Sequence, residues 1–211
     1  MHIPDGLLPL SICAIGYGAT SLLLRKSFKE LRKAKDFTQL IPKISMVTAA
    51  FFIGTLINIP FPPTSIHPLL VGLSGVILGV YAPLSIFISL LFQAILFKHG
   101  GITTLGVNTF IFSLPALICY WSYNKIKFLR NQNLETLKNF IIGSLSTLLS
   151  VLIYSLLMAT YIPSYYNRAA ELSALIFLII AHIPLVLVEG LLFAFLLKSK
   201  KLQSVRFQNA L

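Results

Sequence analysis

The opening hexapeptide Met1-His2-Ile3-Pro4-Asp5-Gly6 carries a run of nitrogens suited to a metal. Met1 offers an amine, and His2 offers a backbone amide and an imidazole. A metal that displaces the amide proton closes a five-membered and then a six-membered ring, leaving three nitrogens near one plane. A fourth nitrogen completes a tetragonal N4 set, the geometry associated with Ni(II) and Cu(II), and His67 is the candidate. An initial Met-His pair also arises from translational start alone, so the dipeptide gains meaning only from what the chain places beside it. The amine (about 7.7–8.0) and the imidazoles (about 6.5) must be neutral to bind, so binding releases protons and weakens in acid. Asp5 either offsets the residual positive charge of the complex or orients the turn at Gly6.

Other residues suggest other chemistry. Gly72-Leu73-Ser74-Gly75 matches the GxSG of rhomboid intramembrane serine proteases, with His182 as a conceivable base. A nucleophile needs its base within hydrogen-bond reach, and a serine on a glycine-rich helix is more simply a packing residue. Cys13 and Cys119 lie in apolar runs without CxxC spacing and read as packing residues. No GxxxxGK[ST] occurs, so the chain holds no nucleotide by a P-loop.

Composition places these residues in a membrane. Of 211 residues, 56% are apolar and 11% charged, which marks an all-α polytopic membrane protein, read as a single domain over 1–211. The net charge of +11 sits in short blocks between apolar runs rather than on a basic face, which argues against nucleic acid. Seven runs are predicted as spanning helices: 7–24, 41–58, 68–82, 83–97, 104–124, 139–162 and 172–197, the third and fourth forming a tight hairpin at Ala82-Pro83. The first lacks a basic lead and ends at Arg25-Lys26, so it reads as a span and not a signal peptide, with Met1 as the mature terminus. Of the 17 Lys and Arg residues, 15 follow spans 1, 5 and 7. The positive-inside rule then puts the N-terminus outside and the C-terminus inside.

That topology puts the loop from Ile59 to His67 on the outer face with Met1 and His2. Its prolines make it stiff, and Pro68 suits the first turn of a helix with His67 as N-cap. Asn58, Gln93 and Asn108 fall on the same side, as residues expected to fix the imidazole tautomers. His182 falls near mid-depth with Glu189 about two turns deeper. Each is a functional candidate or a satisfied interhelical hydrogen bond. Gly72, Gly75 and Gly79, Ala14 with Gly18, and Ala50 with Gly54 mark close helix contacts, internal or toward a partner subunit.

With these features in place, the chain resembles the substrate-binding membrane subunit of cobalt/nickel energy-coupling-factor transporters, the CbiM/NikM family. The resemblance rests on Met1 to Gly6; on Asn58 with Thr64-Ser65-Ile66-His67; on Gln93 to Phe97 with Gly100 to Thr103 and Leu105 to Asn108; and on Ala181-His182-Ile183-Pro184 with Glu189-Gly190. It implies a multi-pass protein of the cytoplasmic (inner) membrane whose metal site is Met1, His2 and His67, with Thr64 and Ser65 beside it. It also implies Ni2+ or Co2+ as substrate with no cofactor, and no enzymatic activity in this subunit. The implied partners are a transmembrane scaffold subunit, two ATPases that drive reorientation, and often a small accessory membrane subunit. Pro63 and Pro68 depart from the family's usual glycine and leucine. His99 stands where the family often has an acidic residue, and reads as a lure for incoming metal or a solvated loop histidine. A permease for another small solute keeps this fold and discards the metal.

Overall fold

A computed structural model describes residues 2–34, 36–61, 64–126, 131–163 and 166–198, the side chains of Phe61, Thr64 and Ser65 excepted. The helices are α1 (Leu10–Lys33), α2 (Phe37–Leu56), α3 (Val71–Leu78), α4 (Ala82–Phe97), α5 (Leu105–Lys125), α6 (Gln132–Thr160) and α7 (Arg168–Lys198). A two-stranded antiparallel hairpin, β1 (Ile59–Phe61) and β2 (Thr64–Ile66), joins α2 to α3 and pairs Pro60 with Ser65.

The outward faces of the helices are apolar, unlike those of a water-soluble bundle. On α7, Ile176, Ile180, Ile183, Leu187, Leu191 and Phe195 are exposed at helical spacing, while His182, Glu189 and Phe193 on the other face are buried. Buried hydroxyls tie helix to helix: Thr20 donates to the Gly106 carbonyl at 2.6 Å, Ser27 to that of Val80 at 2.6 Å, and Ser89 to that of Thr48 at 2.8 Å. Such bonds suit an interior whose surroundings offer no water.

Among the described residues, five stretches are long and apolar enough to cross a membrane, so the expected seven spans are corrected in two places. α1 falls short because Ser11, Gly16, Tyr17, Gly18, Thr20 and Ser21 dilute its apolar half, and the helix continues through the basic residues to Lys33. α3 and α4 form one apolar stretch, Val71–Phe97, interrupted by a short 3₁₀ turn. The break falls at Gly79, three residues before the expected Ala82-Pro83, because Gly79 adopts φ +57°, which residues with a Cβ rarely do. The chain reverses there. α4 rises alongside α2, with Ser85 and Ser89 against Thr48 and Gln93 against Phe52 and Thr55. α3 packs on α5 and α6, with Gly75 on Ala116 and Gly72 against Ser146, while the residues before it, Leu69 and Leu70, reach Glu189 of α7.

The small-residue contacts are also partly reassigned. α1 meets α5 through Gly16, where a Cβ would strike Val107, and through Gly106 against Tyr17, whereas Gly18 faces open space. The cause is helical phase, since Gly16 and Thr20 share the buried face of α1. Gly75 lies on Ala116, and Gly54 approaches Leu70 inside the bundle.

Candidate metal centre

Ile3 is the anchor of the N-terminal stretch, fully buried with both backbone groups bonded to side chains of another helix. Its N–H donates to Asn108 Oδ1 at 2.9 Å, and its carbonyl accepts from Asn108 Nδ2 at 3.0 Å and Thr104 Oγ1 at 2.6 Å. An asparagine amide presents one acceptor and one donor side by side, so Asn108 grips one residue of extended chain as a neighbouring strand would. Asp5 makes a second clamp. Its carboxylate accepts from the Thr103 amide at 2.8 Å, the Thr103 hydroxyl and the Ile102 amide at 3.2 Å. The Thr103 hydroxyl is the main cause holding the Asp5 carboxyl below the usual carboxylate range. Gly101 lies directly beneath, where a Cβ would run into the Asp5 carboxylate and backbone. Asp5 therefore orients the turn, one of its two sequence readings.

Two clamps one and three residues beyond His2 hold its ring at the centre of a histidine cluster. The rings of His2 and His67 have centroids 5.4 Å apart at 19°, and those of His2 and His99 are 4.3 Å apart at 60°. Ring nitrogens of all three lie within 4.8 Å of one another. Two nitrogens sharing one ion at about 2.0–2.1 Å are at most about 4.2 Å apart, so small ring rotations bring the set to bonding distance. His2 Nδ1 and Nε2 and His99 Nε2 are buried without a hydrogen-bond partner among the described residues. Phe112 closes the apolar side, 5.5 Å from the His2 ring.

Burial pushes the His2 imidazole well below its ordinary value of 6.5, and neighbouring His67 and His99 add to the shift. Burial likewise takes His67 down to about 2 and lowers His99. All three rings are therefore neutral at physiological pH, the state in which imidazole donates to a metal.

His67 is set by a long-range device. It follows directly on the hairpin strand β2, and the next two amides, of Leu69 and Leu70, both donate to Glu189 Oε1 of α7, the Leu70 bond at 3.2 Å. Glu189 Oε2 accepts from the Thr147 hydroxyl of α6 at 2.6 Å. This displaces the expected helix start: the N-cap is Leu70, at φ +50°, and not His67, because a carboxylate from another helix takes the amides that Pro68 was expected to precede. Glu189 thus meets the interhelical reading of its burial and also positions the backbone beside His67.

The remaining candidates divide. Gln93 is buried and bonds Phe52 O and Thr55 Oγ1, tying α4 to α2 instead of reaching an imidazole. Asn108 likewise acts on backbone, and Asn58 is exposed at the end of α2. Thr64 and Ser65 contribute backbone to β2. Met1 and Pro63 lie outside the described residues. His182 bonds the Leu178 carbonyl through Nδ1 at 2.7 Å and leaves Nε2 unpartnered among the described residues. Ser74 donates to the Leu70 carbonyl at 3.0 Å, so no Ser74–His182 pair forms and the protease reading loses its nucleophile. The sequence reading undervalued His99. The Gly100-Gly101 pair after it was the available signal, since φ +82° at Gly100 folds the loop back onto His2.

Comparison with known proteins agrees with this architecture. The model of the CbiM family, described as the cobalt uptake substrate-specific transmembrane region, matches residues 2–206. The cobalt transport protein CbiM of Clostridium tetani is 33% identical over 198 residues, covering 91% of this chain and 80% of the relative. The fused nickel transport protein NikMN of Rhodobacter capsulatus is 37% identical over 110 residues, covering 51% of this chain and 31% of the relative. A crystal structure of a transition metal transporter superposes with a TM-score of 0.78 at 25% identity, covering 97% of this chain and 93% of the other. This integral membrane chain belongs to the CbiM family, the substrate-specific transmembrane regions of cobalt uptake.

Proposed function

We propose that this chain is the substrate-capture subunit of an ATP-driven energy-coupling-factor importer of Ni2+ or Co2+. It takes the ion at the outer face through the Met1 amine, the His2 amide and imidazole, and His67. The observation that carries the reading is the convergence of three neutral imidazoles around the end of an N-terminal stretch clamped at Ile3 and Asp5. An organic solute gives no reason to fix the backbone next to His2 so closely. A chelate of amine, amide and imidazole does, because its ring sizes tolerate no shift in register.

The ion sheds its water, the amine and amide give up protons, and the imidazoles bind without doing so. Phe112 keeps the surroundings of the His2 ring apolar on one side. With no nucleotide-binding loop of its own, the subunit depends on a transmembrane scaffold subunit and two ATPases, with a small accessory membrane subunit aiding delivery. The N-terminus faces outward and the basic C-terminal residues inward, in the cytoplasmic membrane.

The test is at the terminus. A residue added before Met1 turns its amine into an amide and moves the chelate out of register, while a C-terminal tag touches none of these atoms. Nickel content after dialysis should be near one ion per chain for the C-terminally tagged protein, near zero for the N-terminally tagged protein, and restored on cleavage to a free Met1. Equal nickel in the N-terminally tagged form would remove Met1 from the site and favour a permease for another solute.

A further inference from the structure

His99 is the member of the histidine cluster that the planar chelate leaves unused. It follows α4, its amide donating to the Gln93 carbonyl at 3.2 Å, and the Gln93 side chain is itself bonded to α2. Lys98 at φ +52° and Gly100 at φ +82° reverse the chain on either side of it. A Cβ on Gly100 would stand 3.4 Å from both His2 Cβ and Asn108 Nδ2, so the loop is packed directly on the clamped N-terminus. The His99 ring is thus placed by two anchored elements, and its Nε2 is buried without a partner among the described residues.

Its place in the nitrogen cluster is the informative feature. In a chelate fused through the His2 amide and imidazole, the ring of His2 lies close to the donor plane. The His67 ring is stacked nearly parallel to that of His2, with 19° between the two ring planes. The His99 ring stands at 60° to His2 and 78° to His67, and it shares the 4.8 Å nitrogen cluster with both. With the four planar positions taken by the capture set proposed above, a further nitrogen of this cluster can reach the ion only above or below that plane.

We propose that His99 is an apical nitrogen donor to the captured ion, converting a four-coordinate planar site into a five-coordinate one and widening its selectivity toward Co2+. This rests on the metal-capture reading above. A strictly planar N4 set favours Ni(II) over ions without a preference for tetragonal geometry. A fifth nitrogen lessens that preference by supplying a bond that Co(II) uses fully. It also changes the spin state of nickel, since four-coordinate planar Ni(II) is diamagnetic and five-coordinate Ni(II) is paramagnetic.

The experiment is proton NMR of the C-terminally tagged protein loaded with Ni2+, alongside His99→Asn, with Ni2+ and Co2+ affinities by equilibrium dialysis. Expected for the wild type are hyperfine-shifted imidazole resonances from three histidines. In His99→Asn these resonances vanish, nickel is retained, and Co2+ affinity falls at least about 10-fold more than Ni2+ affinity. A wild-type nickel complex that is diamagnetic overturns the apical donor while leaving the capture reading intact, and does so whether or not the variant folds. Hyperfine-shifted resonances that persist unchanged in His99→Asn overturn it equally. A C-terminally tagged wild type that binds neither ion overturns the capture reading itself.

Discussion

Replacing Asn108 with alanine tests the idea that the site is built by gripping backbone. The change deletes the acceptor for the Ile3 N–H and one of the two donors to the Ile3 carbonyl, which keeps Thr104. The exposed consequence is a buried N–H without a partner, costing about 1–3 kcal/mol. Placed entirely on the binding-competent N-terminus, that is a loss of about 5- to 150-fold in Ni2+ affinity at 1.4 kcal/mol per decade. Thr104→Val removes a donor from a carbonyl that Asn108 still serves, so its cost is about 0.5–1.5 kcal/mol, or about 2- to 12-fold. The double variant should lose more than the sum, because only there does the Ile3 carbonyl become an orphan as well. Equilibrium dialysis of the C-terminally tagged proteins in detergent measures all four states. Affinity within twofold of wild type for a well-folded Asn108→Ala protein would refute the clamp.

Gly101→Ala should weaken nickel binding at least about 10-fold with little change in the bundle's helicity, since its Cβ would push Asp5 and the N-terminal stretch away; unchanged dialysis affinity counts against the second clamp. Ser74→Ala should leave metal uptake by cells expressing the full transporter intact, and the wild type should take no fluorophosphonate label; labelling dependent on Ser74 and His182 would reopen the protease reading. The lowered histidine pKa values fix the pH dependence. Held below their ordinary 6.5, the imidazoles add fewer protons than unshifted ones would, so just below pH 6.5 the protons released on binding should come chiefly from the Met1 amine and His2 amide. By the same linkage the unfolded chain takes up protons that the folded metal-free form does not, so thermal stability should fall as pH drops below about 6.5; a flat midpoint from pH 7 to 5 contradicts that.

Helix positions were legible because apolar runs carry their own signal, and α5 and α7 begin and end within a few residues of expectation. Met1-His2 and His67 stood out because their chemistry is local to a few residues. What could not be read was partnership across the chain. Asn108 meets Ile3 over a separation of 105 residues and Glu189 meets Leu69 over 120, and no periodicity encodes a side chain that serves distant backbone. The break at Gly79 instead of Pro83 was missed for a different reason: proline is tolerated in a first helical turn, whereas the left-handed turn depended on packing against Tyr120.

The Glu189 carboxylate makes His67 and α7 parts of one lever. Between His67 and α7 stand Pro68 and two hydrogen bonds, so a tilt of α7 relative to α6 draws on the same backbone that presents the imidazole. Under the proposed capture role, a partner that grips α7 far from the ion would have a mechanical route to loosen it. Thermodynamic reciprocity would then require the converse: an ion held at His67 would bias the angle of α7. Occupancy of the site would in this way reach the outline of the bundle, where a protein that never touches the metal could sense it.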